Sequence, residues 1–157
     1  MRFWDSSAVI PLLLPEDTSS RMIDLLRRDP GVVLWWASSV ECLSGIRRRH
    51  REEPIPEDVL DRALERAEAL HRDADIVTPS EEVRRIAGRM LAVHALRAGD
   101  ALQLAAALVW CEDRPDGEEL VTLDERLRSA AAREGFSVMP GPETPGPAIG
   151  SPGGSPS

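Results

Sequence analysis

The chain has 157 residues, 42% of them hydrophobic, and carries 19 basic against 27 acidic side chains for a formal net charge of −8. That length suits one domain, whose core removes roughly 70% of the unfolded chain's surface from water, and leaves no room for a second. The acidic balance argues against a general polyanion binder, which presents a broad basic face, and because every basic residue is Arg and none is Lys, mechanisms that need a lysine are excluded.

Residues 1–4 read as a buried strand ending at Asp5, and Ser7 opens a short helix that stops near Pro15. Residues 18–28 place Met22, Leu25 and Leu26 on one helical face. Asp29-Pro30-Gly31 marks a turn, after which residues 32–36 are β-branched and aromatic enough for a central strand. Ser38 begins a helix running to about residue 51, with Ser38 and Glu41 spaced as a capping box. Residues 53–56 break that pattern, and residues 57–72 form an amphipathic helix with Leu60, Leu64, Ala67 and Leu70 in register. Residues 75–79 predict a short strand. Ser80 caps a helix carrying Val83, Ile86, Met90 and Val93, Gly99 interrupts the pattern, and Asp100 opens a nearly all-apolar helix to about residue 111. A loop at 113–117, a strand at 120–123, a helix at 124–133 and a strand at 136–139 complete a domain of residues 1–139. From Pro140 the composition collapses into Gly, Pro and Ser, so residues 140–157 are expected to form a disordered tail.

Strands alternating with helices imply an α/β fold with a mostly parallel five-stranded sheet covered on both faces. In such a fold every strand-to-helix junction lies along one sheet edge, so Asp5, Glu41, Asp100 and Asp124, each at such a junction, can converge there. Clustered carboxylates suit a hard cation such as Mg²⁺, which takes oxygen ligands, keeps several waters and can make one of them a nucleophile towards phosphorus. Taken singly, each acid also reads as a helix cap or first-turn acid. Glu81 and Glu82 follow a strand too, but behind Ser80 they read as an ordinary solvated first turn.

The motifs Asp5-Ser6-Ser7-Ala8-Val9 before Leu14-Pro15-Glu16, Ser38-Ser39-Val40-Glu41, Gly99-Asp100-Ala101 with its Ala-rich helix, and Val121-Thr122-Leu123-Asp124-Glu125-Arg126-Leu127 follow one another in order. Together they resemble the successive motifs of PIN-domain nucleases, specifically VapC-type toxins of bacterial toxin–antitoxin pairs, over residues 1 to about 139. The resemblance implies a PIN-like three-layer fold, a Mg²⁺- or Mn²⁺-dependent endoribonuclease, a small antitoxin that masks the site, and a homodimer. It implies Asp5 and Asp100 as direct metal ligands, Glu41 and Asp124 as the rest of the acidic cluster, and Ser7 and Thr122 as supporting hydroxyls. Pro11 departs from the polar or basic residue that related sequences often carry there. An antitoxin segment would need an apolar groove, for which Leu12, Leu13, Met22 and Leu25 are the exposed candidates. The alternative is a PIN-like module that binds RNA or protein without cutting.

Arg47, Arg48, Arg49 and Arg51 follow Glu41 along one helix, either to grip phosphates or as a solvated helix end whose cations complement the dipole. Gln103, one turn beyond Asp100, reads as an incidental polar residue or one that orients water or a base. His50, His71 and His94 form no pair at ligand spacing, which argues against a histidine acid/base mechanism. The four tryptophans lie in apolar runs and read as core. Dehalogenase-type phosphatases and receiver domains both need the missing lysine, and the former a second Asp where Ser7 stands. Cys42 and Cys111 lack any paired framework and read as buried free thiols in a reducing compartment. The apolar stretch after Asp5 is short, broken by Pro11 and without a small-x-small cleavage site, and the run from Ala101 to Trp110 is too short for a bilayer, so a cytoplasmic location is expected.

Overall fold

The computed structural model describes residues 1–142. Five strands, β1 (Arg2–Trp4), β2 (Val32–Trp35), β3 (Asp75–Val77), β4 (Glu119–Val121) and β5 (Ser137–Met139), form one wholly parallel sheet in the order β3-β2-β1-β4-β5. Seven helices connect them: α1 (Ser6–Leu13), α2 (Ser19–Arg28), α3 (Ser38–Glu52), α4 (Glu57–Asp73), α5 (Glu81–Val93), α6 (Ala98–Trp110) and α7 (Glu125–Glu134). The three-layer arrangement expected from the alternation of elements is therefore present.

The side-chain alternation of a strand divides the interior into two cores. Phe3, Val33, Trp35 and Leu120 face one, filled by Val83, Ile86 and Met90 of α5, Leu104 and Leu108 of α6, and Leu127 of α7. Trp4, Val32, Leu34 and Val121 face the other, filled by Val9 and Leu13 of α1, Met22 and Leu25 of α2, Ile46 of α3 and Leu60 of α4. Leu13, Met22 and Leu25 are thus buried at 4%, 0% and 4% exposure and Leu12 is half-buried. They cannot form the exposed groove expected of them, because helices this short bury their apolar stripe against the sheet. The exposed large apolar side chains lie elsewhere, among them Trp36 just after β2, Val40 and Leu43 on α3, and Leu91 and Val93 on α5.

β1 sits at the centre of the sheet, with β2 on one side and β4, far away in sequence, on the other. The order reverses there, and in such sheets a crevice opens beyond the carboxyl ends of the strands at the reversal. Asp5 follows β1 and Asp124 follows β4; Asp5 N–H donates to Val121 O at 2.9 Å, which locks the two junctions together. Gly45 lets α1 approach α3, since a Cβ there would stand 2.5 Å from Ile10 Cδ1. At the end of α7, Gly135 takes the left-handed φ of 108° that closes a helix and favours glycine.

Pro140 and Gly141, expected to begin the tail, accept hydrogen bonds from Arg128 Nη1 (3.0 Å) and Arg21 Nη2 respectively. Residues 143–157 of that expected tail lie outside the described residues. Cys42 and Cys111 are free thiols. Among the described residues no helix is long and apolar enough to cross a membrane.

Candidate active site

Asp5 caps α1, and burial drives its chemistry. The residue is 4% exposed, and every hydrogen bond its carboxylate accepts falls on Oδ2: from Ser7 N–H at 3.2 Å, from Ser7 Oγ, and from Thr122 Oγ1 at 3.0 Å. The two hydroxyls are themselves fixed, Ser7 Oγ accepting from Leu123 N–H at 3.0 Å and Thr122 Oγ1 from Asp124 N–H at 3.1 Å. Desolvation outweighs these bonds and, with a smaller push from the Glu41 charge, raises the Asp5 pKa from 3.8 to about 6. Ser7 and Thr122 are therefore brought to Asp5 as expected.

Asp124 is the N-cap of α7, its Oδ1 accepting from Leu127 N–H at 2.8 Å. Asp100 does not open α6. The helix starts at Ala98, so Gly99 lies inside its first turn and Asp100 Oδ2 accepts from Arg97 N–H at 3.4 Å. Burial raises the Asp100 pKa and the nearby Asp124 charge adds to the rise, against the pull of Arg126 and Arg97. Glu41 does not form the expected capping box. Ala37 is the N-cap of α3, Ser38 is its first residue, and no side chain caps it. Both members of the expected box turn instead to Gln103 on α6, whose Nε2 donates to Ser38 Oγ at 3.1 Å and to Glu41 Oε2 at 2.6 Å. Gln103, 1% exposed, is thus a structural brace and not incidental. A position one turn after an acid at the start of an apolar helix was the available signal.

The four acids are linked two by two, and Gly99 joins the pairs. Asp5 feels Glu41, Asp100 feels Asp124, and a Cβ on Gly99 would lie 3.9 Å from Glu41 Oε1. Each has one oxygen held by a hydrogen bond, and the other oxygen of each has no hydrogen-bond partner among the described residues. Among those residues, no three acidic, histidine or cysteine side chains stand close enough to enclose one ion. A cation would therefore take one or two carboxylates and fill its remaining positions with water, which is how Mg²⁺ commonly binds.

Of the arginines on α3, Arg48 lines a cleft of about 480 Å³ with Ser7, Ile10, Val40 and Glu41. Arg49 pairs with Glu16, while Arg47 and Arg51 are exposed on the helix. His50 Nδ1 accepts from Ile55 N–H and His94 pairs with Glu134, so neither histidine is spent on the acids. Trp4 and Trp35 are core and Trp110 is half-buried, whereas Trp36 departs from the core reading at 53% exposure, because it stands beyond the last paired residue of β2.

The family model described as "PIN domain" matches residues 2–133. A comparison with curated proteins finds no match. Among solved structures, the chain is similar to a toxin-antitoxin complex from Klebsiella pneumoniae, with 16% identity, 79% of this chain and 87% of that one covered, and a TM-score of 0.58. It is also similar to FitAcB from Neisseria gonorrhoeae, with 17% identity, 88% and 96% covered, and a TM-score of 0.60. A Pyrobaculum aerophilum protein shares 17% identity over 82% and 78% of the two chains, with a TM-score of 0.54.

Proposed function

The chain belongs to the PIN-domain family, and we propose that it is a Mg²⁺- or Mn²⁺-dependent endoribonuclease that acts as the toxin of a toxin–antitoxin pair. PIN domains are generally nucleases. One observation carries the reading: Asp5, Glu41 and Asp124 from three strand-to-helix junctions, and Asp100 from the start of α6, which follows α5 and not a strand as expected, lie beyond the sheet reversal, each with one oxygen anchored and one left over. Helix capping accounts for the anchored oxygen of Asp5, Asp100 and Asp124, but it does not account for burying Asp5 beside Glu41. A buried carboxylate beside a half-buried one of like charge costs free energy that a divalent cation offsets. The donor set fits a hard ion, with Asp5 and Asp100 as its direct ligands and Glu41 and Asp124 completing the cluster, partly through water.

The chemistry such an ion supplies when bound is charge neutralisation at the phosphoryl oxygens and acidification of a water for attack. The chain's own residues do the positioning. Ser7 and Thr122 fix the Asp5 carboxylate, Gln103 fixes Glu41, and Arg48 meets the phosphate backbone from the α3 side of the site. Arg47 and Arg51 extend that basic surface along the helix. The toxin role is supported by the fold shared with the toxin-antitoxin complex from Klebsiella pneumoniae. A small antitoxin that masks the acids, a homodimer and a cytoplasmic location belong to the same proposal. Val40 and Leu43, exposed beside Glu41 on α3, are the apolar side chains that such a partner would meet at the site.

The spacing of the acids, no three of which enclose one ion, favours the second reading, a PIN-like module that binds without cutting. One experiment separates the two. The purified chain should cut single-stranded RNA with Mg²⁺ or Mn²⁺, stop with chelator, and fail to cut as Asp5→Asn; expressing it alone should slow bacterial growth. Binding without cleavage in all of these would establish the second reading.

A further inference from the structure

On the far side of the acids from α3, a cleft of about 310 Å³ lies between α7 and the connection from α5 to α6. Arg126, Ser129 and Arg133 line it from α7, at spacings of three and seven that place them on one helical face, and all three are exposed. His94 lines the opposite side. At 1.5 Å of rise per residue, the two arginines are separated by about 10 Å along the axis.

The charges of this cleft are unbalanced. Its lining carries two guanidiniums against one carboxylate, that of Glu125, which is 88% exposed on the rim and stands 3.9 Å from Arg128 Nε, while Glu134 Oε1 lies 2.6 Å from His94 Nε2. Arg128 itself is tied to the carbonyls of Thr122 and Pro140. Among the described residues, neither Arg126 nor Arg133 has a hydrogen bond or ion pair. Arg133 in the last turn of α7 complements the helix dipole, but Arg126 in the first turn opposes it and needs another reason to be there. Arg126 stands at the end of the cleft next to Asp124, the N-cap of α7, and its charge acts on Asp100.

We propose that this cleft is a second phosphate subsite, in which Arg126 and Arg133 hold the backbone of a single-stranded RNA as it leaves the carboxylate cluster. It rests on the nuclease reading and adds a direction to it: the strand runs from Arg48 on α3, across the acids, to the outer face of α7. Ser129, midway between the arginines, offers a hydroxyl donor to the same backbone. Two guanidiniums on a rigid helix bind phosphates without reading bases, so the subsite contributes affinity for length and not for sequence.

The test uses the full chain with chelator present, so that binding is measured without cleavage. Single-stranded RNA of about 12 nucleotides is compared with RNA of about 4, lengths that bracket what one small domain covers. Arg133→Glu and Arg133→Ala should weaken binding of the longer RNA several-fold, leave the shorter unchanged, and lower the slope of log K against log salt by about 0.7, the share of one phosphate contact on a single strand. Arg133→Lys should restore the slope. Wild-type slope and affinity for the longer RNA in both variants would overturn the subsite while leaving the nuclease reading in place. Conversely, Arg133-dependent binding by a protein that never cleaves RNA with Mg²⁺ or Mn²⁺ would overturn the nuclease reading and leave the subsite standing.

Discussion

Gln103 of α6 holds Glu41 of α3 across the interface of the two helices, its Nε2 donating at 2.6 Å to Oε2. The same nitrogen donates to Ser38, so both amide hydrogens are used, and Gln103 Oε1 is left buried without a partner. The reverse orientation of the amide would set two oxygens against each other, which makes the observed one the stable choice. Glu41 is thereby aimed by a residue that touches none of the other acids through a hydrogen bond.

Gln103→Leu tests this brace. Two hydrogen bonds are lost, at a net cost of about 1 kcal/mol each, while an orphaned buried oxygen is removed with a gain of similar size. Stability should therefore change by about 1 kcal/mol or less, whereas RNA cleavage should fall about tenfold or more, as for other groups that orient a ligand. Unchanged cleavage rates would show that Glu41 needs no brace.

Asp5 makes metal-free stability depend on pH. Its folded pKa of about 6 lies above the ordinary 3.8, so the folded state holds its proton more tightly than the unfolded one. The stability this confers is full below about pH 4 and is lost as pH rises through about 6, a difference of roughly 3 kcal/mol. Asp5→Asn should flatten the urea-unfolding profile between pH 4 and 6 in chelator. A wild-type-like slope in the variant would remove Asp5 as its source.

Divalent cation should reverse that loss. An ion that binds only the folded state at 100 times its dissociation constant adds about 2.7 kcal/mol, so the melting temperature at pH 7 should climb with the logarithm of Mg²⁺ or Mn²⁺ concentration. Asp100→Asn should blunt the climb. Equal responses in both proteins would place the ion elsewhere.

The boundary of the domain is testable with two chains, one ending at Met139 and one at Pro142. The shorter loses the carbonyls that accept from Arg128 and Arg21, and a hydrogen bond from a charged donor contributes about 1.5 to 3 kcal/mol. It should melt several degrees lower. Coincident melting curves would mean that these bonds contribute nothing.

Gly88, exposed within α5, serves as a control away from the acids, because a Cβ there meets nothing within 4 Å. Gly88→Ala should raise unfolding free energy by about 0.5 to 1 kcal/mol without altering cleavage.

The sheet and its helices were legible in the sequence because they rest on local signals: period-two alternation, apolar stripes, and turn residues such as Asp29-Pro30-Gly31. The junction positions of Asp5 and Asp124 followed from the same signals, and so did the hydroxyls beside them, through the family motifs. The structure departs where a side chain has two partners in reach. Ser38 and Glu41 satisfy a local capping pattern, yet a glutamine 65 and 62 residues away from them captures both, since a buried interhelical amide offers them stronger partners than a solvated helix end. Leu13, Met22 and Leu25 carry the same hydrophobic pattern whether a helix faces solvent partners or its own sheet, and only the packing of α1 and α2 over β1 and β2 buried them. The arginines of α7 carry no such local signal: which charges remain unpaired after folding is a property of the assembled surface, which no local pattern encodes.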